Sequence, residues 1–242
     1  MKATRLEYRF RWILHAVIIC LGFWAPWCEP LRWTRLSTWL VLSSWLSRMG
    51  WLSFVGATDA VLIVAIVLVA FGAWLRVWGA SYVGASVVNS RSMHGEAMLA
   101  DGPYRRTRNP LYLGTILHII GLAILMPPSG AVFCVALIWL LNVRLALAEE
   151  PFLTQRFGEA YVEYRKRVPR FLPAPTPQVP AAGNPAHWLE GFFGEIYVVG
   201  VVVTYAVFGW SFNAMTMTRG VLISLGAWII VKAFLPKPKS SE

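Results

Sequence analysis

Six stretches of this 242-residue chain are apolar and of about the length that crosses a bilayer: 12–27, 56–78, 111–126, 130–147, 192–210 and 220–235. In lipid a backbone has no water to bond, so each run must satisfy its hydrogen bonds internally as a helix. Hydrophobic residues make up 57% of the chain and charged ones 14%, more apolar surface than a soluble domain of this size can bury. The fold class expected is all-α: a polytopic membrane helical bundle of about six transmembrane helices.

A formal net charge of +10 raises nucleic acid as a partner. The basic residues flank apolar runs rather than forming one face, however, and no nucleic-acid motif is present. The excess reads instead as the cytoplasmic Lys/Arg bias that orients membrane proteins, with the 13 Trp as interfacial anchors. With the N-terminus inside, the loops 79–110 and 148–191 and the C-terminal tail all fall on the cytoplasmic side. Those two loops carry Arg91, Arg105, Arg106, Arg108, Arg156, Arg165, Lys166, Arg167 and Arg170, against Arg32, Arg35, Arg48 and Arg219 in the outer segments. The stretch 36–54, with its serines, Arg48 and Trp39, Trp45 and Trp51, reads as an amphipathic surface helix. Counting it as a span would put the basic loop outside.

Cys20, Cys28 and Cys134 match no zinc-ligand spacing and read as packing residues, with no metal expected. Lys2, Arg5, Arg9 and Arg11 precede an apolar run as in a signal peptide. No small-x-small site follows, so the run reads as a retained first span. Pro127-Pro128-Ser129-Gly130 is a tight turn between two spans. The Pro-rich stretch 169–185 reads as a linker. The chain then divides into an N-terminal span and interfacial helix (1–55), a core (56–173), a linker (174–191) and a terminal membrane pair with a basic tail (192–242). That pair, with Glu195 and Lys232 as its few reactive side chains, reads as extra membrane packing.

Charged and turn-forming residues concentrate in Gly102-Pro103-Tyr104-Arg105-Arg106-Thr107-Arg108-Asn109-Pro110-Leu111-Tyr112. Asn109 as N-cap and Pro110 in the first turn start a helix, whose free N–H groups would suit a carboxylate or phosphate. The same residues would equally serve as a cap with aromatic anchors and positive-inside arginines. Glu149 and Glu150 end the fourth span, where they oppose the helix dipole and call for a cationic partner; Arg144 is one candidate. After Pro151, Phe157, Tyr161, Tyr164 and Val168 mark an amphipathic cytoplasmic helix whose basic end, Arg165-Lys166-Arg167, suits anionic lipid. His118 is expected to bond between helices, and Gly114 and Gly121 to allow close helix packing.

Four strings together, Gly102-Pro103-Tyr104, Arg108-Asn109-Pro110-Leu111-Tyr112, Glu149-Glu150 and Phe157-Gly158-Glu159-Ala160-Tyr161-Val162-Glu163-Tyr164, resemble the isoprenylcysteine carboxyl methyltransferases and related phospholipid methyltransferases. The likeness covers about 74–173. It implies S-adenosylmethionine as cofactor, a cytoplasmic cofactor-binding cap, and a lipid-like or hydrophobic methyl acceptor, carboxylate or amine. It implies cofactor contacts from Asn89, Glu96, Ala97, Met98, Leu99, Tyr104, Asn109, Pro110, Leu111, Tyr112 and Glu149. Arg144 and Glu150 are the expected catalytic residues, and Arg144, Arg108 and His118 the expected acceptor-binding ones. The sequence departs from the family at Asn109, where the family has histidine, and at Glu96, where a histidine is again usual and His94 lies nearby. The family's substrate arginine aligns with Leu145, next to Arg144. The rival classes are a membrane NADPH-dependent reductase of the sterol-reductase type and a non-enzymatic scaffold or transporter.

Overall fold

The computed structural model describes residues 2–24, 36–83 and 100–234. Among these, all regular structure is helical: α1 (Arg5–Arg9), α2 (Arg11–Trp24), α3 (Thr38–Arg48), α4 (Phe54–Val83), a 3-10 turn (Gly102–Arg105), α5 (Pro110–Ala123), α6 (Pro128–Phe157), α7 (Glu159–Arg167), α8 (Trp188–Gly194), α9 (Ile196–Ser211) and α10 (Ala214–Phe234). By length and composition α4, α6 and α10 can each cross a membrane. The pair α8–α9, bent by 70°, makes a fourth crossing if it is one span. The apolar helices α2 and α5 are shorter, 14 residues each, or about 21 Å. Among the described residues, each of the six expected apolar runs carries helix, the fifth broken at Glu195. The fold is an all-helical membrane bundle.

Local signals start the helices. Thr4 and Glu7 form a capping box on α1, Ser37 caps α3, and Pro110 and Pro128 occupy the first turns of α5 and α6. The 11-residue α3 is too short to span. It packs on α4 and ties to the α5–α6 turn, where the Thr38 and Trp39 N–H groups donate to the Met126 and Ile124 carbonyls.

Helix α5 lies against α4 through glycines, as expected of Gly114 and Gly121. A methyl group on Gly72 would sit 2.6 Å from the Gly114 carbonyl oxygen and 2.7 Å from the His118 nitrogen; one on Gly114 would sit 2.6 Å from the Gly72 carbonyl oxygen. Backbone cannot yield as a side-chain tip can. Gly72→Ala is therefore expected to destabilise the bundle by about 1–3 kcal/mol, read as a lower unfolding midpoint in detergent.

Two expectations need correction. The fourth span does not end at Glu149-Glu150: α6 runs on through Pro151 to Phe157 and stops at Gly158, whose φ is 58°. Its two carboxylates are mid-helix, where tertiary partners rather than the dipole decide their environment. Nor is the Pro-rich stretch a free linker. It is zipped along the basic loop: Arg108 N–H donates to the Pro169 carbonyl, Ala174 N–H to Arg106, and Gln178 N–H to Arg105, while the Thr107 hydroxyl donates to Phe171. Arg105 and Arg106 donate to the carbonyls of Val179 and Pro175. Prolines leave carbonyls without adjacent N–H donors, and these arginines supply the missing donors.

Candidate functional site

At one end of the bundle α1, α2, the start of α5 and the second half of α6 converge on a cavity of about 650 Å³. Its polar rim is centred on Glu149, whose Oε1 accepts hydrogen bonds from the Tyr112 hydroxyl at 2.6 Å and the Tyr8 hydroxyl at 2.9 Å. Phenols are neutral, so they orient the carboxylate without cancelling its charge. The Arg11 guanidinium stacks over the Tyr8 ring at 4.5 Å. Tyr104 adds a buried ring from the 3-10 turn, and its backbone carbonyl accepts from the Tyr164 hydroxyl at 2.8 Å. Burial pushes the phenols of Tyr104 and Tyr164 above their ordinary value, so both stay neutral.

Asn109, Pro110, Leu111 and Tyr112 all line this cavity, as do Tyr104, Arg108, His118 and Glu149. Asn109 is not the expected side-chain cap: its amide donates to the Arg170 carbonyl at 3.0 Å, joining the helix start to the proline strap. Asn89, Glu96, Ala97, Met98 and Leu99 lie outside the described residues.

Arg144 and Glu150 do not meet on the cavity. Arg144 is engaged by Glu7 through both carboxylate oxygens at 3.0 and 2.9 Å, and that guanidinium holds the Glu7 carboxyl below the usual range. Glu150 pairs with Arg108 at 2.7 Å and with Arg170 at 2.8 Å. The cationic partners of Glu150 thus come from the basic loop and the strap, not from Arg144, while Glu149 is bonded by two phenols. One helical position, about 100° of rotation, separates Arg144 from the face that looks inward, and buried Leu145 occupies it.

The strap is also clamped by Asp101. Its carboxylate accepts from the backbone N–H groups of Gly183 and Asn184 at 3.2 and 3.0 Å, and from the Asn184 amide at 2.8 Å. Burial pushes this carboxyl up, but the hydrogen bonds from Asn184 and Gly183 outweigh it and lower its pKa below the ordinary 3.8. A depressed folded value stabilises the native state fully above the unfolded value. That stabilisation is lost as pH falls from 3.8 through the folded value. Limited proteolysis at residues 174–187 should therefore rise steeply only below about pH 4, and Asp101→Asn should raise cleavage already at neutral pH.

Sequence reasoning missed several residues at this end. Arg76, inside the apolar run of α4, forms a bidentate ion pair with Glu195 at 2.7 Å for both contacts, with side-chain exposures of 8% and 3%. It also donates to the Thr115 hydroxyl at 2.6 Å. Glu195 sits at the α8–α9 bend, and Tyr197, Leu225 and Trp228 from the terminal helices line the cavity. The terminal pair is therefore part of the cavity wall, not packing alone. A charge inside a membrane-length run was the available signal for Arg76. Tyr8, His15 and Asn142 carried none that could be read without knowing which helices adjoin.

Comparison with known proteins gives a consistent picture. The family model described as phospholipid methyltransferase matches residues 60–160. A protein-S-isoprenylcysteine O-methyltransferase of Mus musculus is 31% identical over 113 residues, covering 45% of this chain and 40% of its own length. The B form from Arabidopsis thaliana is 28% identical over 88 residues, covering 36% and 45%. A cobalt-zinc-cadmium resistance protein of Cupriavidus metallidurans is 30% identical over 99 residues, covering 40% and 42%. The chain spans less than half the length of each of these relatives. No solved structure matches.

Proposed function

We propose that this protein, whose residues 60–160 match the phospholipid methyltransferase family model, is an integral membrane methyltransferase. It moves the methyl group of S-adenosylmethionine to a lipid-like or hydrophobic acceptor, carboxylate or amine, at the cytoplasmic leaflet. The observation that carries the reading is the junction of Tyr112, at the start of α5, with Glu149 of α6 on one cavity wall, both residues lying within the matched core.

The residues present fit the cofactor. A cavity of about 650 Å³ lies within the range of small-molecule sites. Glu149, oriented by Tyr8 and Tyr112, offers negative charge to a cationic ligand. The start of α5 offers free backbone N–H groups to an anionic group. When bound, S-adenosylmethionine supplies a methyl group already activated by its sulfonium charge. The protein's own work is then alignment and exclusion of water by apolar walls. Arg108, Glu150 and Arg170 tie the basic loop and the strap to α6, and Arg144 with Glu7 fixes α1 beside the cavity. In this account Glu150 and Arg144 are positioning residues.

Equilibrium binding of the purified protein tests the reading. S-adenosylmethionine and S-adenosylhomocysteine should bind and NADPH should not. NADPH binding without S-adenosylmethionine binding would instead favour a reductase.

A further inference from the structure

The cavity continues below its charged rim to a second polar tier. Asn142 lies two helical turns before Glu149 on α6, and His118 nearly two turns beyond Tyr112 on α5, so this tier is about 10 Å deeper along both helices. Both side chains are buried, at 0% and 4% exposure, and both line the cavity. Around them the walls are apolar, including Ile19, Ile119, Leu122 and Leu225.

The bonds these residues already make fix what they have left to offer. His118 Nδ1 lies 3.2 Å from the Val69 carbonyl oxygen, which can only accept, so Nδ1 carries the proton. In the neutral ring Nε2 is then a bare acceptor, and it is buried with no partner among the described residues. The Asn142 amide donates to the Ile138 carbonyl at 2.7 Å. His15 Nδ1 meets the Arg11 carbonyl at 2.6 Å, which leaves His15 Nε2 to accept from the same Asn142 amide at 3.3 Å. Both Asn142 protons are thereby used. Its Oδ1 is a second buried acceptor with no partner among the described residues. Two leftover acceptors in one apolar chamber are a costly arrangement unless a donor fills them.

We infer that the deep end of the cavity binds a hydrophobic molecule through a hydroxyl or N–H group that donates to Asn142 Oδ1 or to His118 Nε2, so the guest is an apolar alcohol or amine rather than a plain hydrocarbon or an ether. The inference deepens the methyltransferase reading by giving the acceptor a donor group set well below the reacting end, and it rests on that reading only for the use made of the guest. Rim and deep tier together define a molecule with polar functions about 10 Å apart.

Binding of 1-decanol and its isomer 1-methoxynonane to the full chain, with no cofactor present and in one fixed detergent, tests this. Thermal unfolding shifts give the two affinities. The alcohol should bind about tenfold more tightly, the ratio expected for a buried acceptor satisfied against one left bare. The Asn142→Leu/His118→Leu double variant, and whichever single variant removes the acceptor in use, should shrink the preference severalfold, while His118→Gln, which keeps an acceptor oxygen, should retain most of it. If variants carrying Asn142→Leu do not fold, the relative affinity of the two probes for the unaltered protein decides the inference. Equal binding of both probes by the unaltered protein overturns the inference and assigns the acceptors to ordered water. A preference undiminished in the leucine variants overturns it too. Neither result depends on S-adenosylmethionine binding, so failure here and failure of the methyltransferase reading are separate outcomes.

Discussion

Glu149→Gln is expected to weaken S-adenosylmethionine binding by about 10- to 100-fold, the range for losing a buried hydrogen bond to a charged partner, while the helical fold persists. Glutamine keeps the size and one acceptor oxygen, so Tyr8 and Tyr112 still find a partner where Oε1 now receives both hydroxyls. What disappears is the negative charge. Tyr112→Ala should act in the same direction with a smaller effect, because it frees the carboxylate without discharging it. Isothermal titration of both variants with S-adenosylmethionine, beside circular dichroism, separates a lost site from a lost fold. If both bind normally, Glu149 is not the group that receives the cofactor.

Glu195→Ala should destabilise the bundle by about 3–5 kcal/mol, the usual result of removing one partner of a buried ion pair. The Arg76 guanidinium would be left facing the empty space of the carboxylate, still held by Thr115, the Leu111 carbonyl at 3.3 Å and the Trp12 ring at 5.8 Å. The double replacement of Arg76 by Met and Glu195 by Leu should recover most of that loss, since neither charge then remains buried. Denaturant unfolding in detergent reads both. A Glu195→Ala effect well under 1 kcal/mol, the level of a weak exposed pair, would return the terminal helices to the role of membrane packing. The same variant should loosen cofactor binding, because the bend at Glu195 forms part of the cavity wall.

Much of this architecture could be read from the chain. Apolar runs located six helical segments because lipid leaves a backbone no alternative. Pro110 marked a helix start, and Gly114 announced close helix packing, which proves to be against α4. The pairing of Tyr112 with Glu149 followed from strings whose order suggested one site. Other features depended on which elements become neighbours. Pro151 looked like a helix end, yet α6 passes through it, with Glu149 and Glu150 just before it held by partners from outside the helix. The proline-rich stretch looked like a spacer because proline is common in spacers. Its carbonyls instead match a row of loop donors that no local pattern reveals. Arg144 faced an ambiguity of one residue in register, and Glu7, 137 positions away, resolves it.

The most direct test of the central claim is an experimental structure of the protein with S-adenosylhomocysteine in a lipid nanodisc. The account predicts nucleoside density in the cavity between α5 and α6, with the cationic part against Glu149 and its two tyrosines. Density at another place on the chain, or an unchanged cavity at saturating ligand, would contradict it.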